Sequence, residues 1–237
     1  MRFHPRFLSP LLASALVLAQ HVHAADELHY LTPNRPDATT LLAPPPLPDS
    51  PEQAADLDEV RAVALAASPK EIAAARSEKE FGLFNFTPAI GDFFQPGRFP
   101  KTQAFLERVF SDDKIFVSQA KQYFNRPRPY IIDASLAAAG EPEKSMSYPS
   151  GHSTGSMVLA LVLADLFPEK RDAIVAKART IGWHRVQIAR HYPTDIYAGR
   201  VFAQAIVREM KTNPQFQQDL AEAKAEIAES RVATAAH

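Results

Sequence analysis

The sequence predicts an all-α fold, a single-domain helical bundle, and three observations carry that expectation. Ser50-Pro51-Glu52-Gln53 and Ser68-Pro69-Lys70-Glu71 each place a serine, a proline and a Gln or Glu at the spacing of a capped helix start. Pro100, Pro193 and Pro214 stand at the head of later stretches with helical periodicity. Nowhere does the apolar–polar alternation of a half-buried strand persist.

Taken in order, residues 1–24 read as a signal peptide. Arg2 and Arg6 supply the positive start, Leu8 to Ala19 the apolar stretch, and Val22-His23-Ala24 the small residues before cleavage. The apolar run falls short of the roughly 20 residues that cross a bilayer. The alternative is a first buried helix. An extended, proline-rich lead over 25–49 follows, with Pro44-Pro45-Pro46 and Pro48, and is expected to run non-helically over the surface. The helical domain proper covers 50–237. Its first helix runs from Ser50 to about Ala67 and its second from Ser68 to about Lys79. Phe81 to Phe99, broken by glycine and proline, reads as short helices or turns on the core. Pro100 to Asn125 is helical with a break expected near Ser111-Asp112, and it stops at Arg126-Pro127-Arg128-Pro129. Tyr130 to Tyr148 is a loop. Ser150 to Leu166 and Glu169 to about His191 are helices, and two more begin at Pro193 and Pro214.

Composition narrows the function. Hydrophobic residues make up 46% and charged residues 22%, a globular balance. The net charge of −1 becomes −3 once the leader is removed, so nothing points to nucleic acid or to an acidic membrane. An anion would have to be held by a local cluster of cations. The chain has no cysteine, which excludes a thiolate nucleophile and Cys-ligated metals.

Three segments carry chemistry. Lys121 and, after six intervening residues, Arg128-Pro129 place two cations at a helix end, where either an anion site or a solvated basic terminus is consistent. Tyr148-Pro149-Ser150-Gly151-His152-Ser153 spans a loop-to-helix junction. There Ser150 and Gly151 can meet an anion with hydroxyl and backbone N–H, and His152 can give it a proton. The plain alternative is a serine N-cap with an incidental histidine. Arg185, His191 and Asp195 follow at spacings of six and four, so a carboxylate can orient an imidazole across a helix junction. Alone, that pair could equally be structural. Together the segments supply cations, an anion-ready helix start, an acid and a nucleophile, the requirements of phosphoryl transfer.

In this order the motifs Lys121…Arg128-Pro129, Pro149-Ser150-Gly151-His152 and Arg185…His191…Asp195 resemble the three-part signature of the type 2 phosphatidic acid phosphatase superfamily. That superfamily also holds vanadium haloperoxidases. With Ala43-Pro44-Pro45-Pro46 and Asp49 to Gln53, the chain is similar to the class A bacterial nonspecific acid phosphatases from about Tyr30 to Arg208. The resemblance implies a secreted or periplasmic, metal-independent acid phosphatase that hydrolyses small-molecule phosphate monoesters broadly. His191 would carry the phosphoryl group and Asp195 orient it, with His152 protonating the leaving alcohol. Lys121, Arg128, Ser150, Gly151 and Arg185 would hold the phosphate oxygens. No metal or other cofactor, no nucleic-acid partner and no membrane insertion is expected, and a homo-oligomer is left open.

Alternatives are a vanadium-dependent haloperoxidase, an apyrase-like enzyme cleaving nucleoside di- and triphosphates, and a non-catalytic phosphate-binding protein. His184 departs from the family's usual serine. It either adds positive charge to the pocket at low pH or points away from it. Arg126 and Arg190 read either as extensions of the pocket or as surface residues. The expected pH profile is a bell set by two imidazoles near the ordinary value of roughly 6.5.

Overall fold

The computed structural model describes residues 28–136 and 143–235, the last five by backbone alone, so the expected leader lies outside the described residues. The early helices are α1 (Ala38–Leu41), α2 (Pro51–Ala66), α3 (Pro69–Ser77) and α4 (Thr87–Ile90). The bundle follows as α5 (Pro100–Phe124), α6 (Pro129–Ile132), α7 (Gly151–Leu166), α8 (Arg171–Gln187), α9 (Pro193–Met210) and α10 (Pro214–Ala235). Among the described residues there is no strand, only an isolated bridge between Thr32 and Arg35, and the all-α expectation holds.

The core is organised around α7, which is apolar nearly all round and therefore buried nearly all round. It packs chiefly on α8 and α9, then on α5. Two glycines permit that closeness. A Cβ on Gly199 of α9 would come within 3.0 Å of the Ser150 carbonyl and the Ser153 side chain, and one on Gly182 of α8 within 3.2 Å of Ser153. The start of α7 is also tied to α9, because Ser150 N–H donates to the Asp195 carbonyl at 3.1 Å. The Ser153 hydroxyl donates to the Ile196 carbonyl at 2.7 Å. The two later sequence motifs are thus held against each other by α7–α9 packing.

Several local expectations are corrected. The lead runs non-helically over the surface only at 43–49: before it, Tyr30, Leu31, Ala38 and Leu42 are buried in the core, and Asp37 caps one helical turn, α1. Nor does α5 break at Ser111-Asp112. A carboxylate in a helix interior interrupts the apolar pattern, but buried Asp112 accepts the backbone N–H groups of His29 (2.9 Å), Tyr30 (2.8 Å) and Leu31 (3.0 Å). It serves as the anchor of the lead. Only Ser68 completes its capping box. At Ser50 the serine half forms, while the Gln53 side chain turns to Arg126. The loop after Pro129 includes α6 and a 3-10 turn, Ala134–Leu136. Finally, α8 ends at Gln187 rather than near His191. Ala189 adopts a left-handed conformation (φ 52°), and the N–H groups of Arg190 and His191 turn back to the Arg185 carbonyl. His191 therefore sits in a tight corner between α8 and α9.

Candidate active site

His191 is buried in that corner, and its hydrogen bonds identify which nitrogen is which. Nε2 lies 3.1 Å from Nη1 of Arg128. A guanidinium only donates, so Nε2 must present its lone pair and the proton resides on Nδ1. Nδ1 in turn faces Oδ2 of Asp195 at 3.2 Å and the Ser147 hydroxyl oxygen at 3.4 Å. Asp195 is itself saturated. Oδ2 also accepts the Ser147 hydroxyl (2.5 Å) and the Tyr192 N–H (2.9 Å), and Oδ1 accepts Nη1 of Arg126 (2.7 Å). Burial, with the charges of Arg128 and Lys121, pushes the His191 imidazole well below its ordinary pKa, which favours the neutral ring.

Arg126 is neither a pocket residue nor a surface one. Buried against the Tyr192 ring (3.7 Å to the centroid), it bridges Asp195 to Asp56, Gln53 and Thr194, and so links the α9 start to α2. Arg190 is also buried, with its guanidinium 5.0 Å from the centre of the Tyr130 ring.

The cations form a concentrated positive pocket. Arg128 is fixed by the carbonyls of Ser145 (2.8 Å) and Arg190 (2.9 Å). Lys121 donates to the carbonyls of Met146 (2.5 Å) and Ser147 (3.2 Å); burial and Arg128 push its ammonium down to about 7. Glu143 bridges the arginines, with one carboxylate oxygen 2.6 Å from Nη2 of Arg128 and the other against Nη2 of Arg185. Burial opposes its ionisation, yet the guanidinium groups of Arg128 and Arg185 hold the Glu143 carboxyl down at about 2. Nε of Arg185 is buried without an acceptor among the described residues. A planar anion from the chain itself thus rests on two guanidinium groups, one of which also touches Nε2 of His191.

His152, in the first turn of α7, lies against the Phe81 ring, and its Nε2 faces the Glu78 carbonyl at 3.0 Å. A carbonyl only accepts, so Nε2 carries a proton and Nδ1 is the nitrogen left to exchange one. Burial and the charge of Arg185 push the imidazole down to about 4. The Glu78 carboxylate meets Lys177 Nζ and His184 Nδ1, each at 2.7 Å. His184 therefore points away from the phosphate-facing arginines.

Residues 112–218, which contain every one of these motif residues, match the model of the PAP2 superfamily. Over 223 residues the chain is 28% identical to a non-specific acid phosphatase of Salmonella typhi, covering 90% of this chain and 89% of the relative. It is 25% identical over 249 residues to an acid phosphatase of Zymomonas mobilis, covering 98% and 93%. Residues 112–218 are a PAP2 superfamily domain, and the chain is a phosphatase. In fold, the chain is similar to a solved transmembrane PAP2 type phosphatidylglycerolphosphate phosphatase from Bacillus subtilis. The TM-score is 0.51 at 22% identity, covering 74% of this chain and 89% of that one. Among the described residues here, no helix is long and apolar enough to cross a membrane.

The PAP2 motifs assemble as one site, with two qualifications. Ser150 is used as the N-cap of α7, accepting the Ser153 N–H at 3.3 Å, and Lys121 is directed at loop carbonyls. Sequence reasoning missed Ser147, Glu143 and Glu78, and left Arg126 undecided. A readable signal existed only for Arg126, one proline away from Arg128. The aromatic segment is core, as expected, except that Phe81 also walls His152.

Proposed function

We propose that this PAP2 phosphatase is an exported, metal-independent acid phosphatase of broad specificity that hydrolyses phosphate monoesters through a phosphohistidine on His191. The observation that carries this reading is the pairing of the His191 Nε2 lone pair with a guanidinium that also holds an anion. A phosphate taking the place of the Glu143 carboxylate would lie beside the nucleophile. His191 Nε2 attacks phosphorus, an N–P bond forms, and the P–O bond to the alcohol breaks. His152 delivers the proton from Nδ1 to the departing oxygen. Asp195 stabilises the positive charge that develops on His191. Water, deprotonated by His152, then attacks phosphorus, the N–P bond breaks and inorganic phosphate leaves.

Arg128, Arg185 and Lys121 supply the charge stabilisation for the equatorial oxygens, as preorganised donors in a site shielded from water. The alkyl or aryl portion of the ester is not read by these contacts, which accounts for the breadth. Residues 1–24 would direct export to the periplasm or medium and be removed after Ala24, leaving the lead and the 50–237 domain as the mature protein.

Rapid quench with a radiolabelled aryl phosphate tests the covalent step. Acid-labile, base-stable label on the protein is expected, and none in His191→Ala. Full turnover after exhaustive EDTA treatment tests metal independence; loss restored by a divalent ion would refute it.

A further inference from the structure

Glu78 lies outside the region that matches the PAP2 model, yet its carbonyl touches the site and its carboxylate touches the helix that carries Arg185. It caps the C-terminus of the nine-residue helix α3 and is buried. Its side chain is committed to α8, where Lys177 and His184 each approach the carboxylate at 2.7 Å. Its backbone carbonyl is committed to α7, where it faces Nε2 of His152 at 3.0 Å. A buried carboxylate is costly to desolvate, and one so placed must be matched by both partners to persist. His184 and Arg185 are neighbours on α8 and so project about 100° apart. One reaches Glu78 while the other reaches the phosphate-facing side.

The end of α3 partly offsets the burial and the Arg185 charge that hold the His152 imidazole below its ordinary value. The C-terminal end of a helix carries a partial negative charge on its free carbonyls, which stabilises a positive group placed there. The Glu78 carbonyl, with that of Lys79 acting in the same sense, counters the burial and the Arg185 charge that oppose protonation. It also occupies Nε2, so only Nδ1 can serve a substrate.

We infer that Glu78 and His184 form a positioning pair for the general acid. By clamping the end of α3 to α8 they hold the Glu78 carbonyl on His152, commit Nδ1 to proton transfer and fix that nitrogen relative to Arg185. The inference rests on the phosphatase mechanism proposed above and goes beyond it by assigning the acid's support. In the step itself Nδ1–H passes to the departing alkoxide as P–O breaks, and Nε2–H stays on the carbonyl throughout.

Leaving-group dependence tests this, because a merely structural role would lower all substrates alike. In the full chain, Glu78→Gln, Glu78→Ala and His184→Ser are compared on p-nitrophenyl phosphate, which leaves unaided, and on 2-glycerophosphate, which needs protonation. Turnover of 2-glycerophosphate is expected to fall by about tenfold or more, a fraction of the full worth of a general acid. Turnover of the aryl ester should stay within about twofold. Glu78→Gln, which keeps the shape and a hydrogen bond, should be the mildest. Equal losses on both esters, or no loss on either, would overturn the inference. A second readout does not depend on activity or on any variant folding. Nitrogen-15 correlation spectra of the parent should report His152 as the Nε2–H tautomer, and an Nδ1–H tautomer would overturn the pairing outright. A parent inert towards both esters would instead count against the phosphatase mechanism, and the spectra would still decide the His152–Glu78 contact.

Discussion

His191 and His152 are two imidazoles in one cationic pocket, and they are held by opposite kinds of partner. His191 gives its Nδ1 proton to a carboxylate that three further groups, on Arg126, Ser147 and Tyr192, pin in place. His152 gives its Nε2 proton to a neutral carbonyl. The difference matches what each must do in the mechanism proposed above. A nucleophile has to present one lone pair at one position and to carry positive charge only while phosphorylated, which a buried carboxylate supports. An acid that later becomes a base has to accept and release a proton in every cycle. A carbonyl fixes the tautomer without locking in the charged state, whereas a carboxylate in contact would hold the proton. Tautomer control and charge control are therefore separable, and this site applies them to different histidines.

The largest effect expected from disturbing that contrast is at Asp195. Asp195→Asn replaces the acceptor of the Nδ1 proton with a group that can donate, and so favours the wrong tautomer. Steady-state kinetics should show kcat reduced on the order of 10⁴-fold, the scale known for such a change, and equally for aryl and alkyl esters. A loss confined to alkyl esters would mean that the two histidines have been assigned the wrong way round.

His152→Ala should be next, with the opposite selectivity. Alkyl esters should lose on the order of 10²–10⁴-fold in kcat, and aryl esters little. The pH profile sharpens the point. With both imidazoles pushed below their ordinary value, the bell expected from unperturbed groups moves to lower pH. Because the acid must be protonated, kcat/KM for alkyl esters, which reports the free enzyme, should fall as pH rises above about 4. The aryl profile should be flatter.

Glu143→Gln should act mainly on binding, although the carboxylate also raises both imidazoles and its loss lowers them further. Removing the resident anion should tighten inhibition by inorganic phosphate by roughly tenfold, a difference of about 1.4 kcal/mol, with KM falling in parallel. Unchanged inhibition constants would show that the carboxylate does not compete for the pocket.

The smallest effect concerns stability. Burial pushes the Asp113 carboxyl up to about 8, and its Oδ1 has no partner among the described residues. The folded chain therefore keeps a proton that the unfolded chain releases from about pH 4. The resulting loss of stability grows as pH rises through the window from about 4 to about 8. Asp113→Asn should flatten that dependence and raise Tm at pH 8, by roughly 2–4 °C for each kcal/mol recovered. Superimposable melting curves from pH 4 to 8 would show that the group is already matched.

The sequence alone was sufficient for the all-α class, for most helix starts and for the eight motif residues. Caps and prolines act within four residues, and helical periodicity within two turns, so such signals are written locally. The phosphatase class was legible for a related reason: two histidines, an aspartate and three cations in three short motifs are an unusual combination. Tertiary structure decided what those residues rest on. Glu78 meets His152 across 74 positions, Arg126 meets Asp195 across 69, and Asp112 meets Tyr30 across 82. It also ended α8 at Gln187, through a left-handed Ala189 that no local rule favours, and so placed His191 in a corner instead of a helix. In each case a buried polar group needs a partner, and packing selects that partner from a distant segment. A carboxylate that looks like a helix break, or a histidine beside a motif arginine, acquires its meaning only from what folding brings against it.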